Sequence, residues 1–221
     1  MTLWSDKEKF YDKLFEELKP LINKYAEDLL AQKPKVIGFS IFNSNRDFSI
    51  ELAREIKRRN PQVKTIFGGP DCTSHFNNSS SVLYDHLIQE EAIDLVVIGE
   101  AEKTIKELVP KLLNDESLDS IKGLLYAGPN RTSHYTGDRE LIKDINSIPY
   151  PDYSDFDFSK YISPAVPLAF NRGCNFRCVF CDIKLLWKDS FRKRTAENIA
   201  DEIMYVARLS KYPYAFFNGA Y

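Results

Sequence analysis

Cysteine is scarce in this chain, with four residues among 221, and no apolar run approaches the ~20 residues of a membrane-spanning helix. So few cysteines, without a signal-peptide pattern, argue against a disulfide-stabilised secreted protein. The net charge of −2 gives no basic field of the kind that nucleic-acid-binding domains carry. We therefore expect a soluble globular protein of one large or two small domains, with no membrane span and no nucleic-acid partner.

Three of the four cysteines lie close together, at Cys174, Cys178 and Cys181 within the segment 171–183. Thiols at this Cys-x3-Cys-x2-Cys spacing cannot share one face of a helix or strand, but a tight loop can bring them to one corner of a metal cluster. A [4Fe–4S] cluster usually takes four thiolates, so three of them leave one iron open for another ligand. The apolar run 165–170 predicts that this loop leaves the carboxyl end of a strand.

Zinc, or no metal at all, are the alternatives for these cysteines. Zinc loops favour paired Cys-x2-Cys units that together supply four ligands, and here only the last two cysteines form such a pair. The remaining cysteine, Cys72, lies far upstream.

Two kinds of neighbouring residue would suit a cluster on this loop. Gly173 would let the backbone turn sharply before the loop. Arg172 and Arg177 would offset the negative charge of the thiolates.

The cysteine spacing, with the aromatic Phe180 just before the last cysteine, resembles the signature of radical S-adenosylmethionine (radical SAM) enzymes. The resemblance implies that Cys174, Cys178 and Cys181 hold a [4Fe–4S] cluster whose open iron binds S-adenosyl-L-methionine, with Phe180 near the adenine. It implies reductive cleavage of S-adenosylmethionine to a 5′-deoxyadenosyl radical, an electron donor such as flavodoxin or ferredoxin, and a cytoplasmic location. The family places this loop after the first strand of a partial (β/α) barrel.

Upstream of the cysteines, strands and helices alternate at a spacing typical of a parallel sheet with right-handed crossovers. An apolar stripe predicts a helix over residues 1–33, which Pro20 kinks or divides. Strands are predicted at 36–41, 63–67 and 95–98, and helices at 46–59, 81–92 and 102–113. Such sheets bind ligands beyond the carboxyl ends of their strands. The loops expected there are 40–45, 68–73 and 99–102.

Ser40 with its two following residues, and then the pair Gly68 and Gly69, resemble two of the three sequence elements of the cobalamin-binding fold. In that family the serine and the glycine pair line the cleft for the nucleotide tail of cobalamin. Gly99 and Glu100 are similar to the segment after the last nucleotide-side strand in cobalamin-dependent radical SAM proteins. The alternative is that these glycines are ordinary turn residues.

Two features depart from the cobalamin-binding pattern. The third element, Asp-x-His-x-x-Gly, is absent, and only three of the family's five parallel strands are recognisable. His75 is a candidate cobalt ligand, but a surface or turn histidine is the simpler interpretation. The resemblance therefore implies a cobalamin-binding-domain-containing radical SAM protein, truncated at both ends.

The predicted fold is α/β, with a partial Rossmann-like, cobalamin-binding-type parallel sheet followed by the start of a radical SAM partial barrel. A hairpin or long loop is expected between 123–126 and 140–142, a proline-rich linker follows it, and a helix is predicted at 196–210. A further strand is predicted to begin at residue 214. The expected divisions are an N-terminal helical segment (1–33), a partial cobalamin-binding-like domain (34–113), a connector (114–160) and the first part of a radical SAM domain (161–221).

These observations lead to two hypotheses about function. The first is a radical SAM iron–sulfur protein for cobalamin-assisted methyl transfer or a related radical reaction, on a small-molecule or peptide substrate that no motif reveals. No residue stands out as a general acid or base, but Arg192 and Arg194 could pair with a carboxylate of S-adenosylmethionine or substrate, or be exposed charges. The second hypothesis is a non-catalytic fragment or binding module that holds a [4Fe–4S] cluster, cobalamin or neither. A zinc-stabilised α/β protein is a third.

Overall fold

The structure is a computed structural model that describes residues 7–78, 87, 89–128, 130, 132–157, 160, 165–209 and 214–218. The chain divides into two compact units, Met1–Arg139 and Glu140–Tyr221. Within the described residues, no helix is long and apolar enough to cross a membrane.

The first unit is built on one sheet with the strand order β1-β2-β3-β4-β5. Its strands are β1 (Val36–Ser40), β2 (Lys64–Gly68), β3 (Leu95–Val97), β4 (Leu124–Ala127) and β5 (Ser133–Tyr135). Its helices are α1 (Lys7–Ala31), α2 (Arg46–Arg59), α3 (Pro70–Asn77) and α4 (Ala101–Leu113).

The sheet is parallel through its first three strands and antiparallel beyond them. Ser40 pairs with Gly68 across β1 and β2, and Phe67 pairs with Val96 across β2 and β3, both in parallel register. β4 then joins β3 in antiparallel orientation, and β5 joins β4. The predicted α/β class and its three parallel strands are confirmed. The hairpin expected downstream exists, but its second strand comes earlier, at β5, and both strands extend this sheet.

β2 and β3 are buried on both faces, as parallel strands covered by helices usually are. Alternate residues point to opposite sides of the sheet. Phe67 and Val96 lie in one core cluster with Ala53 of α2 and Cys72 of α3. The residues between them form a second cluster with α4, namely Ile66, Leu95, Val97 and Leu108.

α1 covers the β1 side of the unit with the apolar stripe that its sequence predicts. Its buried residues Ile22 and Ala26 pack with Leu52 and Ile56 of α2. The helix continues through Pro20, although proline removes one main-chain hydrogen bond from a helix interior. Packing of this stripe outweighs that loss, so the expected division of the helix does not occur.

Two helices depart from the sequence prediction. α3 begins at Pro70, where a loop through residue 73 was expected. Most of the helix predicted at 81–92 lies outside the described residues; residues 87 and 89 are helical, and 90–92 are not.

The second unit contains β6 (Ala165–Ala169), β7 (Asn171–Gly173), α5 (Ile183–Trp187), β8 (Phe191–Lys193), α6 (Ala196–Leu209) and β9 (Tyr214–Asn218). β6 and β9 pair in parallel, and β7 and β8 form an antiparallel ladder. The predicted strand before the cysteines, the helix after them and the final strand are confirmed. Val166 and Leu168 of β6 are buried with Val206 of α6.

Candidate functional site

The ends of β1 and β2 lie side by side at the carboxyl edge of the sheet. Ser40 and Gly68 are register partners, and the amide of Ile41 donates to the carbonyl of Gly68 at 2.7 Å. The next residue, Gly69, begins α3. Gly99 follows β3, and its amide donates to the Thr73 hydroxyl of α3 at 3.0 Å. The structure thus gathers the predicted residues of three loops at one edge.

Gly69 is required by the fold itself. Its φ of +102° is rare for a residue with a side chain. A Cβ at this position would lie 2.8 Å from the Ile41 nitrogen and 2.9 Å from the Ile41 oxygen. The turn interpretation therefore accounts for Gly69, because the main chain after β1 passes directly against it.

Gly68 and Gly99 have no such crowding. A Cβ on Gly68 would make ordinary contacts with Val97, at 3.5 Å from its oxygen and 3.6 Å from its Cβ. A Cβ on Gly99 would meet no heavy atom of the described chain within 4 Å, although a φ of +84° favours glycine there. Packing within the described chain therefore leaves the glycine at position 68 unexplained, and the space beside Gly99 is open.

Ser40 and Glu100 differ in their exposure to solvent. Ser40 is exposed at the end of β1, and its carbonyl accepts a hydrogen bond from the Asn45 side chain at 3.1 Å. Glu100 is only 6% exposed and occupies the N-cap position of α4 without a side-chain capping hydrogen bond. A carboxylate at a helix N-terminus is favoured by the helix dipole.

A buried ion pair beside this edge was missed by the sequence reasoning. Arg46, the first residue of α2, donates from Nε and Nη2 to the two carboxylate oxygens of Asp71, at 2.6 and 2.5 Å. These bonds raise the pKa of the guanidinium. Pro70 at the first helical position with Asp71 in the first turn is a helix-start signal that could have revealed α3 and its acid.

His75 belongs to this cluster and is not isolated. Its Nε2 lies 3.0 Å from Arg46 Nη2 and 3.4 Å from Asp71 Oδ1. The adjacent Cys72 is buried, and burial raises the pKa of its thiol to about 12. Cys72 is therefore a core residue with little thiolate character.

The cysteine loop of the second unit is closed by the β7–β8 ladder. Gly173 and Phe191 are partners in its register. Gly173 has a φ of +86°, and a Cβ there would overlap the backbone oxygen of Ser190. The side-chain amide of Asn171 donates to the Gly173 carbonyl at 3.0 Å. A glycine is therefore obligatory directly before Cys174.

The three loop thiols are accessible, and they are not gathered into one group. Cys178 is exposed, whereas Cys174 and Cys181 are partly buried. The Phe176 amide donates to Cys174 Sγ at 3.4 Å, and the Cys181 amide donates to the Cys178 carbonyl at 3.1 Å. In the part of the chain that the structure describes, no three His, Cys, Asp or Glu side chains lie close enough to hold a metal ion.

The chemistry of this donor set nevertheless fits an iron–sulfur cluster. Three thiols on one accessible loop can supply three thiolate ligands and leave a fourth iron open. The loop also exposes apolar side chains: Phe176 is 78% exposed, Val179 103% and Phe180 86%. Phe180 is thus available to a ligand on this loop.

Arg194, considered above as a carboxylate ligand or an exposed charge, is neither. Its guanidinium forms an ion pair with Glu202, and both side chains are under 10% exposed, at 9% and 4%. It also donates to Asn198 Oδ1 at 2.6 Å and lies over the ring of Tyr150. Arg194 therefore has a structural role between β8 and α6.

Comparison with known proteins finds a domain match within the first unit. The family model described as the B12 binding domain matches residues 17–109. An uncharacterized methyltransferase of Pyrococcus horikoshii is 29% identical over 197 residues, which cover 87% of this chain and 39% of that protein. An anaerobic magnesium-protoporphyrin IX monomethyl ester cyclase of Rubrivivax gelatinosus is 27% identical over 209 residues, or 88% of this chain and 34% of the relative.

Solved structures show the same fold. The cobalamin-dependent S-adenosylmethionine radical enzyme OxsB, with aqua-cobalamin and S-adenosylmethionine bound, superposes with a TM-score of 0.69 at 20% identity, over 90% of this chain and 27% of OxsB. The radical S-adenosylmethionine methyltransferase TsrM of Kitasatospora setae, with cobalamin and a [4Fe–4S] cluster bound, gives 0.68 at 15% identity, over 89% and 40%.

The fold is therefore that of a Rossmann-like cobalamin-binding domain with a further α/β unit. Residues 17–109 match the B12 binding domain, and the chain is similar in sequence to curated methyltransferases and in fold to cobalamin-dependent radical S-adenosylmethionine enzymes. It spans 39% and 34% of the length of the two curated relatives.

Proposed function

We propose that this chain binds cobalamin at the carboxyl edge of β1, β2 and β3. The observation that carries this proposal is the match of residues 17–109 to the B12 binding domain, together with the gathering of the loop residues at the edge where parallel sheets bind ligands. The proposed contacts are Ser40, Gly68, Gly69, Gly99 and Glu100.

Each of these residues has a role that its surroundings support. Ser40 is an exposed residue at the end of β1 and offers a hydroxyl group. The fold could accommodate a side chain at position 68, yet the residue there is glycine. A glycine without a steric requirement is expected where a ligand approaches the backbone of a strand. Gly69 would lie at the bottom of the proposed site, because it lets the main chain after β1 pass close to the start of α3. Gly99, with Glu100 behind it, leaves space beside α3.

We further propose that Cys174, Cys178 and Cys181 hold a [4Fe–4S] cluster and that S-adenosylmethionine binds there, with Phe180 beside the adenine. When bound, the cluster supplies one electron for reductive cleavage of S-adenosylmethionine to a 5′-deoxyadenosyl radical. The residues of the chain would hold the cluster and orient the bound S-adenosylmethionine. The β7–β8 ladder closes the loop, Gly173 sets its direction, and Phe180 offers an apolar surface.

The proposed reaction is cobalamin-assisted methyl transfer or a related radical reaction. This proposal includes an electron donor such as flavodoxin or ferredoxin and a small-molecule or peptide substrate. It also includes a reducing, cytoplasmic location. The divisions at 1–33, 34–113, 114–160 and 161–221 are proposed as its working segments.

A non-catalytic binding module is the second candidate function. The observation that favours it is the arrangement of the loop, since the thiols of Cys174, Cys178 and Cys181 do not converge among the described residues. In this case the chain would hold cobalamin, a cluster or neither, and would act by docking to another chain.

Anaerobic reconstitution with iron and sulfide separates these functions. We expect about four irons per chain, as in a [4Fe–4S] cluster, and an EPR signal of the reduced protein that changes when S-adenosylmethionine is added. Cys178→Ala should lose the signal, whereas Cys72→Ala, which removes the thiol outside the loop, should keep it. Failure of the wild-type chain to form a cluster, or a cluster that does not respond to S-adenosylmethionine, would favour the binding module.

A further inference from the structure

The base of the cysteine loop contains an indole ring. Trp187 is the last residue of α5, and its Cβ would lie 3.4 Å from a Cβ placed on Gly173. Gly173 in turn pairs with Phe191 across β7 and β8. Trp187 therefore packs beside the β7–β8 pairing, where the loop that carries the three cysteines begins and ends.

Two guanidinium groups lie on this indole. Arg172 and Arg192 are direct partners in the β7–β8 register, and their guanidinium carbons lie 5.5 and 5.4 Å from the centroid of the Trp187 ring. Arg192 also donates to the carbonyl of Ile142 at 2.7 Å. Among the described residues Trp187 Nε1 is buried without a hydrogen-bond partner, so the indole is held mainly through its faces.

This arrangement places two guanidinium groups side by side at the base of the loop. Like charges directly opposite each other on a β-ladder are unfavourable. Cation–π contacts with Trp187 offset part of that repulsion. The three thiolates of the proposed cluster would bring negative charge to the same loop.

We propose that Arg172 and Arg192, positioned by Trp187, raise the reduction potential of the iron–sulfur cluster on this loop. The inference rests on the proposed function of the loop. A cluster gains one negative charge when it accepts one electron, so fixed positive charge nearby stabilises the reduced state more than the oxidised state. Removing either guanidinium should therefore lower the midpoint potential.

The test compares Arg172→Gln with Lys193→Gln in the reconstituted chain. Lys193 is exposed on β8, next to Arg192 in sequence, and its loss removes the same charge without disturbing the indole. The readout is the midpoint potential from an EPR-monitored titration, with dithionite as the electron source. We expect a shift to lower potential in Arg172→Gln that clearly exceeds the shift in Lys193→Gln.

Three further variants separate charge from positioning. Arg172→Lys keeps the charge and should remain near the wild-type potential. Trp187→Phe keeps an aromatic face and should also remain near it, whereas Trp187→Leu should shift toward Arg172→Gln. Melting curves of the apo-proteins establish that each variant is folded, and Arg192→Gln replaces Arg172→Gln if that variant does not fold.

Equal shifts in Arg172→Gln and Lys193→Gln, or no shift in either, would overturn the inference while the cluster itself is intact. A wild-type chain that assembles no cluster would instead overturn the proposed function of the loop, and the inference with it. The two failures are therefore distinguishable in one set of samples.

Discussion

Arg46 and Asp71 join the start of α2 to the first turn of α3 through two hydrogen bonds, with side chains that are only 12% and 6% exposed. The pair lies beside the loop that follows Ser40 and beside Gly69. It therefore fixes two of the loops that form the proposed cobalamin edge.

Asp71→Asn should destabilise the first unit strongly, because it leaves the Arg46 charge buried without its counter-charge. We expect the free energy of unfolding to fall by about 3 kcal/mol, the usual cost of breaking a buried pair. Urea unfolding followed by circular dichroism measures this change. Glu51→Gln, which breaks the more exposed pair with Arg54 on the same α2, is the control and should change the value by less than about 1 kcal/mol. Equal effects of the two substitutions would contradict a special role for the buried pair.

Glu55 makes stability depend on pH in the acid range. Hydrogen bonds from Arg58 and Arg59 hold the pKa of its carboxyl at about 2, below the ordinary value of 4.5. Because the folded-state pKa is depressed, the stabilisation is present above pH 4.5 and is lost as the pH falls toward 2. The stability difference between wild type and Glu55→Gln should therefore be constant at neutral pH and shrink in this window. A difference that does not change between pH 2 and 6 would refute the assignment.

Gly173→Ala should prevent normal assembly of the cysteine loop. The added Cβ would overlap the backbone of Ser190 in a conformation that already disfavours side chains, so the β7–β8 ladder must shift. We expect a large loss of iron per chain after reconstitution. Gly137→Ala is a suitable control, because that glycine also has a positive φ but its Cβ would meet only the end of the Lys122 side chain. Wild-type iron content in Gly173→Ala would show that the ladder does not organise the loop.

The four cysteines should differ sharply in reactivity. In the apo-protein at pH 8, iodoacetamide should modify the three loop thiols first, and Cys72 at least about a hundredfold more slowly, because its thiol is buried and its pKa is raised to about 12. Mass spectrometry after timed quenching resolves the order. Addition of urea should make the four rates similar, and early modification of Cys72 under native conditions would contradict the packing described for α3.

Much of this architecture could be predicted from local sequence patterns. The apolar runs that became β1, β2 and β3, and the helical periodicity of α2 and α4, indicate a parallel sheet because each pattern records which face is buried. The antiparallel addition of β4 was not predicted, because strand pairing depends on contacts between residues far apart in sequence, such as Val96 with Leu125.

The site was predictable only in part, for the same reason. Gly69 and Gly173 stand out in the sequence, but only the three-dimensional structure shows that Ile41 and Ser190 require them. α3 was missed because Gly-Gly-Pro-Asp resembles a loop, although Pro70 also suits a first helical turn. No local pattern predicts that Arg172 and Arg192 meet on Trp187, since their contact depends on the β7–β8 register.

The most direct measurement is a titration of the chain with cobalamin, followed by the absorbance of the corrin, for wild type, Gly68→Val and Gly38→Val. Both glycines lie in strands, and crowding by the described chain does not require a glycine at either position. A Cβ on Gly38 would meet no heavy atom of the described chain within 4 Å. We expect saturable binding by wild type and Gly38→Val, and binding at least about tenfold weaker for folded Gly68→Val, a loss of roughly 1.4 kcal/mol. No binding by the wild-type chain, or equal affinity of all three proteins, would contradict a cobalamin site at this edge of the sheet.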